Sequence, residues 1–159
     1  MDQETAQTSS RNVATEDLGT PGVRSVASTM NGIRGAQVHG PTLTVCRNGT
    51  PIFTSNSKWL HPLFELEAYL AEHPIQPENL ILQDKIIGKA AALLILRLGF
   101  RTVQAGILSR LGEAVLQRHG IVYTYKQLVD RIHCQTEELL ATVEDPEEAY
   151  RLVQIRAGR

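Results

Sequence analysis

The stretch from Leu80 to Leu98, LILQDKIIGKAAALLILRL, constrains the fold more than any other part of the chain. Leu80, Ile81 and Leu82 fit a strand covered on both faces, and the Ala- and Leu-rich run from Ile86 to Leu98 is too long for a strand and fits a helix. A covered strand leading straight into a helix is half of a βαβ unit. Asp84 stands at the junction, where its carboxylate would accept from the free amides of the first turn. The rest of that turn runs against local preference. Lys85 and Lys89 are four apart, repel each other, and sit where the helix dipole disfavours positive charge. Gly88 adds about 1 kcal/mol of helix cost relative to Ala. Two readings follow. The turn is held for close approach of an anion or a neighbouring backbone, or the two lysines lie along the helix and reach water.

The remaining elements fall around this unit. Residues 1–40 are rich in Gln, Thr, Ser, Asn and Gly without sustained periodicity, which predicts a flexible or disordered tail, with an extra helix over Val23 to Met30 as the alternative. From Thr42 two short alternating runs, TLTVCR and TPIFTS, flank Asn48-Gly49 and predict a hairpin with Leu43 and Val45 facing the core; Pro51 confines its strand to an edge or to a first residue. A helix is expected over Leu60 to His73, capped near Ser57, with Pro62 in its first turn and Leu63, Leu66 and Leu70 inward. Thr102 to Ile107 reads as another covered strand. Ser109 then caps a helix to Arg118, with Leu111, Val115 and Leu116 inward and Gly120 as its stop. Ile121 to Tyr125 is the fifth strand, followed by a short helix over Tyr125 to Ile132, a turn at Cys134, and a helix over Pro146 to Ile155. The order predicts one domain over residues 41–159, an α/β fold of three layers with a mixed sheet of about five strands and an N-terminal hairpin. Ligands in such sheets sit beyond the carboxyl ends of the strands, which groups Ser55–His61, Asp84–Lys89 and Leu108–Gly112.

Charge and cysteine content narrow the classes of partner. A formal net charge of −1 over 159 residues leaves no electrostatic footprint for nucleic acid or for an acidic membrane surface. No apolar run is long enough to span a membrane, and the N-terminus lacks a secretory pattern, so a cytoplasmic location is expected. Cys46 and Cys134 form no CxxC and suit free thiols in a reducing compartment.

The motifs DKIIGKAAALL at 84–94, HGI at 119–121, Cys134-x-x-Glu137 and DPEEA at 145–149 resemble a bacterial domain-of-unknown-function family of the cytidine-deaminase-like superfamily. The likeness covers Thr42 to Val153. The first motif matches at Asp84, Lys85, Gly88, Lys89 and Ala90 to Ala92. The second matches at Cys134 and Glu137, while Gln135 replaces a proline. The resemblance implies a cytidine-deaminase-like fold and a site position, and it carries no reaction. Zinc deaminases need a His or Cys beside a catalytic Glu and a Pro-Cys-x-x-Cys, and neither is present, so no metal and no cofactor is expected.

A small anionic metabolite is the ligand class these residues suggest. Lys85, Gly88, Lys89 and Ser109 are the expected binding residues. This is not a Walker loop, because the upstream glycine is missing and Ala90 stands where Ser or Thr would bind magnesium. As an enzyme the protein would use Asp84 or Glu137 to move a proton and Cys134 as nucleophile. Cys134 equally reads as a small buried hydrophobe, Ser109 as a simple cap, and the whole turn as helix–sheet packing in a scaffold that could form a homo-oligomer.

Overall fold

A computed structural model describes residues 40–159 and the backbone of Val23–Ser25. Strand β1 is Val23–Ser25, and β2 (Leu43–Arg47) and β3 (Thr50–Ser55) form the hairpin. Asn48 and Gly49 turn it with positive φ angles of 52° and 83°, as a turn that matches the twist of its flanking strands requires. Pro51 lies on β3, the edge strand, where no ladder amide is lost to a further neighbour. Helix α1 (His61–Glu72) carries Pro62 in its first turn and buries Leu63, Phe64 and Leu66. Strand β4 (Ile81–Ile87) leads to α2 (Lys89–Leu98), β5 (Thr102–Ser109) to α3 (Arg110–Arg118), and β6 (Val122–Val129) to α4 (Gln135–Leu139) and α5 (Pro146–Ala157). Gly99 closes α2 in the left-handed region. Asp145 opens α5, its carboxylate accepting from the Glu148 amide at 3.0 Å.

The sheet runs β1-β6-β5-β4-β2-β3, with β2 antiparallel to both its neighbours and the other pairs parallel. It is a mixed sheet of the expected five strands, extended at one edge by β1. The tail expected over residues 1–40 lies outside the described residues except for Val23–Ser25 and Gly40.

Four expectations are corrected. Asp84 does not cap a helix: β4 continues through it to Ile87, pairing Asp84 with Leu43 and Ala105, and Gly88 takes the cap position. Pairing with β2 as far as Asp84 and with β5 as far as Ile87 satisfies this backbone more completely than an isolated helical turn can, so tertiary pairing overrides the local signal. Ser57 does not cap α1, whose cap is Leu60; its hydroxyl donates to Glu65 instead. The helix expected over Tyr125 to Ile132 is absent, because β6 extends through Val129 alongside the equally long β5.

The fourth concerns the layers. From β3 over β2 to β4, then to β5 and β6, every crossover moves the same way along the sheet, and right-handed crossovers in one direction place their helices on one face. Burial agrees. Leu43, Val45, Leu82, Val103, Ala105 and Tyr123 share a face by register and are all buried, whereas Val122 is half exposed and the Gln83–Gln104 side-chain bond on the other face is open. The three crossover helices α1, α2 and α3 therefore share one face of the sheet. Helix α2 lies at the middle of the helical layer, buried from Lys89 through Ile95 and packed on α1, α3 and α5, which is why its sequence is apolar all round. Among the described residues no helix is long and apolar enough to cross a membrane.

Candidate functional site

The carboxyl end of β4 is irregular. Lys85 and Gly106 have no partner in an otherwise continuous β4–β5 register, and burial resumes out of phase, with Ile86 50% exposed and Ile87 and Leu108 fully buried. Gly106 is required there, since a Cβ would stand 2.6 Å from the Lys85 carbonyl oxygen. The ladder keeps its register across this gap, with Asp84 opposite Ala105 and Ile86 opposite Ile107. The gap follows directly after Asp84.

The first amide of α2 is met by a side chain 48 residues away. Glu137, 2% exposed, accepts from the Lys89 amide at 3.1 Å and the Ser109 hydroxyl at 2.8 Å on one oxygen, and from the Ile132 amide at 2.7 Å on the other. A carboxylate at a helix N-terminus completes free donors and complements the dipole. The glycines make room for it. A Cβ at Gly88 would lie 2.9 Å from the Glu137 oxygen, and one at Gly112 would lie 2.9 Å from the Gly88 carbonyl oxygen. Ser109 also accepts from the Gly112 amide at 3.0 Å, capping α3 as its position predicts. Lys89 is 4% exposed, and its ammonium donates to the Ala141 carbonyl and to Glu144, both at 2.9 Å. Its hydrogen bond, joined by that of Arg118, holds the Glu144 carboxyl below the usual range. The helix end that looked ready for an external anion thus carries an internal one.

Above this cluster lies a cavity of about 380 Å³. Its walls are largely apolar, formed by Trp59 and Leu60 before α1, Ile86, Ala90 and Ala91 of the β4–α2 unit, and Ile132. The polar side chains that reach it are those of Thr42, Lys58, Asp84, Lys85, Lys89, Thr136 and Glu137, with Cys134 beside them. Burial raises the Asp84 carboxyl to about 7, against the pull of hydrogen bonds from the Ile86 and Lys85 amides. Trp59 holds a left-handed backbone, φ 59°, and its indole donates to the Thr136 hydroxyl at 2.9 Å. Left-handed backbone is costly for a bulky residue and persists where the surroundings impose it.

The expected site residues therefore divide. Asp84, Lys85, Gly88, Lys89, Cys134 and Glu137 all line this cavity, whereas Ser109 lies beneath it as the support of Glu137. Cys134 is an exposed free thiol at the start of α4, and Cys46 is free and buried, its thiol pushed up by desolvation. Lys58, Trp59 and Thr136 were not expected. The signal available for Trp59 was its place in the Ser55–His61 connection at the strand ends.

Over residues 39–156 the sequence matches the family model TM1506, a domain of unknown function (DUF1893). The crystal structure of a DUF1893 family protein (TM1506) from Thermotoga maritima resembles this one with a TM-score of 0.65 at 23% identity, covering 81% of this chain and 87% of that chain. That likeness carries the fold alone. No curated protein matches the chain. With the family model spanning most of its length, the chain belongs to the DUF1893 family.

Proposed function

We propose that the protein binds a small anionic metabolite with an apolar body in the Asp84 cavity, at the carboxyl ends of the strands. The observation that carries this reading is a carboxyl raised to about 7 inside a largely apolar cavity, directly before the unpaired Lys85–Gly106 position of the β4–β5 ladder. A carboxylate there would repel an anion, but a neutral acid donates a hydrogen bond to one. An anion beside Asp84 raises its pKa further, so binding takes up a proton and weakens as pH rises through 7. Lys58 and Lys85 add positive charge to the lining, and Trp59 offers an apolar wall. If the site is catalytic, Asp84 is the proton carrier and Cys134 the nucleophile, while Glu137, held by three donors, serves as a positioning group.

The same reading keeps the chain within the cytidine-deaminase-like superfamily, supported by a hairpin at one edge and parallel strands following in order. The zinc of that superfamily's deaminases does not fit, since among the described residues no three of His, Cys, Asp and Glu are grouped as ligands. The free thiols support a cytoplasmic location. A second reading, a scaffold without ligand, draws on Gly88, Lys89, Ser109 and Gly112 all being engaged with neighbouring elements.

The test is thermal unfolding of the protein and of Asp84→Asn with phosphate and short carboxylates at pH 6 and pH 8. A compound at a hundred times its dissociation constant should add about 2.7 kcal/mol. The expected result is stabilisation stronger at pH 6, with that pH dependence lost in the variant. Absence of stabilisation by every compound moves the scaffold reading to the front.

A further inference from the structure

Beside the cavity runs an open groove of about 540 Å³, lined by Trp59, His61, Cys134, Gln135, Thr136, Arg156 and Ala157. Trp59, Cys134 and Thr136 line both spaces, and the indole–Thr136 hydrogen bond closes part of the wall between them. Trp59 is 38% exposed, and its ring meets His61 edge-on at 5.4 Å between centroids. Displacing one half-exposed side chain with a single hydrogen bond would join cavity and groove. The chemistry of the two spaces differs. The cavity offers an acid among apolar walls, and the groove offers the Arg156 guanidinium, held toward Gln135, and the His61 imidazole.

We infer that cavity and groove form one two-part site for an elongated ligand with an apolar middle and an acid group at each end, with Trp59 as the partition it passes. This rests on the reading of the Asp84 cavity as a ligand site. One acid group sits with Asp84, the apolar middle runs along Trp59, and the second acid group pairs with Arg156, whose planar fork suits a carboxylate. A ligand too short to reach both ends uses only one of them, so affinity depends on length in a way that a single-ended site does not produce.

Trp59 is the protein's one tryptophan, so its fluorescence reports directly on the partition. The experiment titrates the full chain with adipate, suberate and sebacate, and with hexanoate, octanoate and decanoate, reading Trp59 emission. Arg156→Gln, an exposed change that leaves the core alone, is titrated in parallel. The expected result is that one of the longer dicarboxylates binds about tenfold more tightly than the monocarboxylate of equal length. Arg156→Gln removes that preference, bringing the dicarboxylate down to the affinity of the monocarboxylate of equal length. Monocarboxylate binding with no dicarboxylate preference, or a preference that survives Arg156→Gln, overturns the two-part site and leaves the cavity reading standing. Failure of all six probes to bind the parent chain overturns both.

Discussion

A carboxyl group among apolar walls costs stability whenever it is charged, and Asp84 is in that position. In the unfolded chain it titrates near its ordinary 3.8, and in the folded protein burial raises it to about 7. Between these values the folded state holds a proton that the unfolded chain has released. The stability associated with Asp84 is thus fully present below about pH 4 and lost as pH rises through 7. Asp84→Asn keeps the shape and removes the charge. Because Asp84 is only half-buried, solvent screening reduces the full linkage value, and the variant should gain about 1–3 kcal/mol over the parent at pH 8, with the gap closing toward pH 4.5. Urea unfolding across that range measures it. A gap that stays constant with pH would mean that the carboxyl is solvated and the cavity does not tune it. Glu137 makes the opposite case, a buried carboxylate whose acceptor capacity is used. Glu137→Ala leaves the amides of Lys89 and Ile132 without a partner and opens a void beside Gly88, and should cost about 2–4 kcal/mol by the same measurement. A loss below about 0.5 kcal/mol would show that water replaces it and that the cap is incidental.

At the scale of elements, α3 approaches the β4–α2 junction as closely as it does because Gly112 has no side chain. Gly112→Ala puts a Cβ against the Gly88 and Ile87 carbonyls, which are backbone and cannot turn aside. The expected cost is about 1–3 kcal/mol. Gly120→Ala provides the comparison: nothing lies within 4 Å, but φ is +68°, so only the left-handed penalty of about 1–2 kcal/mol applies. A Tyr123 phenol hydrogen-bonded to Glu113 and Gln117 of α3 adds a local readout, since a shifted helix disturbs both bonds. The same elements show what the residues could and could not announce. The hairpin was legible because Asn48-Gly49 dictates its turn, and α3 because Ser109 and Gly120 mark its ends within a few residues. The start of α2 was misplaced because its cap comes from Glu137, 48 residues away, while the nearby Asp84 mimics a cap. Likewise β6 looked short because Tyr125 to Ile132 has no strand signal strong enough by itself, and its pairing with β5 decides the matter. The cluster Asp84, Lys85, Gly88, Lys89, Cys134 and Glu137 was legible as chemistry brought to one sheet end. Its internal pairing and the wall supplied by Trp59 depend on packing that no local pattern encodes.

On the scale of the whole molecule, the hydrophobic core of the described residues runs from Leu43 to Val153, and the central helix α2 is covered by α1, α3 and α5, all beyond residue 60. Of the residues before Gly40, the described ones, Val23–Ser25, form β1, which pairs with Tyr123–Tyr125 at the edge of the sheet. A chain beginning at Gly40 keeps the core of the described residues and loses the β1 ladder. It should unfold cooperatively, less stable than the full chain by no more than about 1–2 kcal/mol, a lowering of Tm by a few degrees for a domain of this size. The same deletion bares the backbone donors and acceptors of β6, and an uncovered edge strand pairs with another chain. Association that grows with protein concentration is thus expected in the shortened chain beyond that of the full one, and sedimentation at a series of concentrations beside a thermal melt tests both halves of the argument. A shortened chain that melts without cooperativity would place part of the core-forming surface before residue 40 and move the domain boundary toward the N-terminus. A cooperative melt with no added association would instead mean that the side chains along β6 already protect its edge.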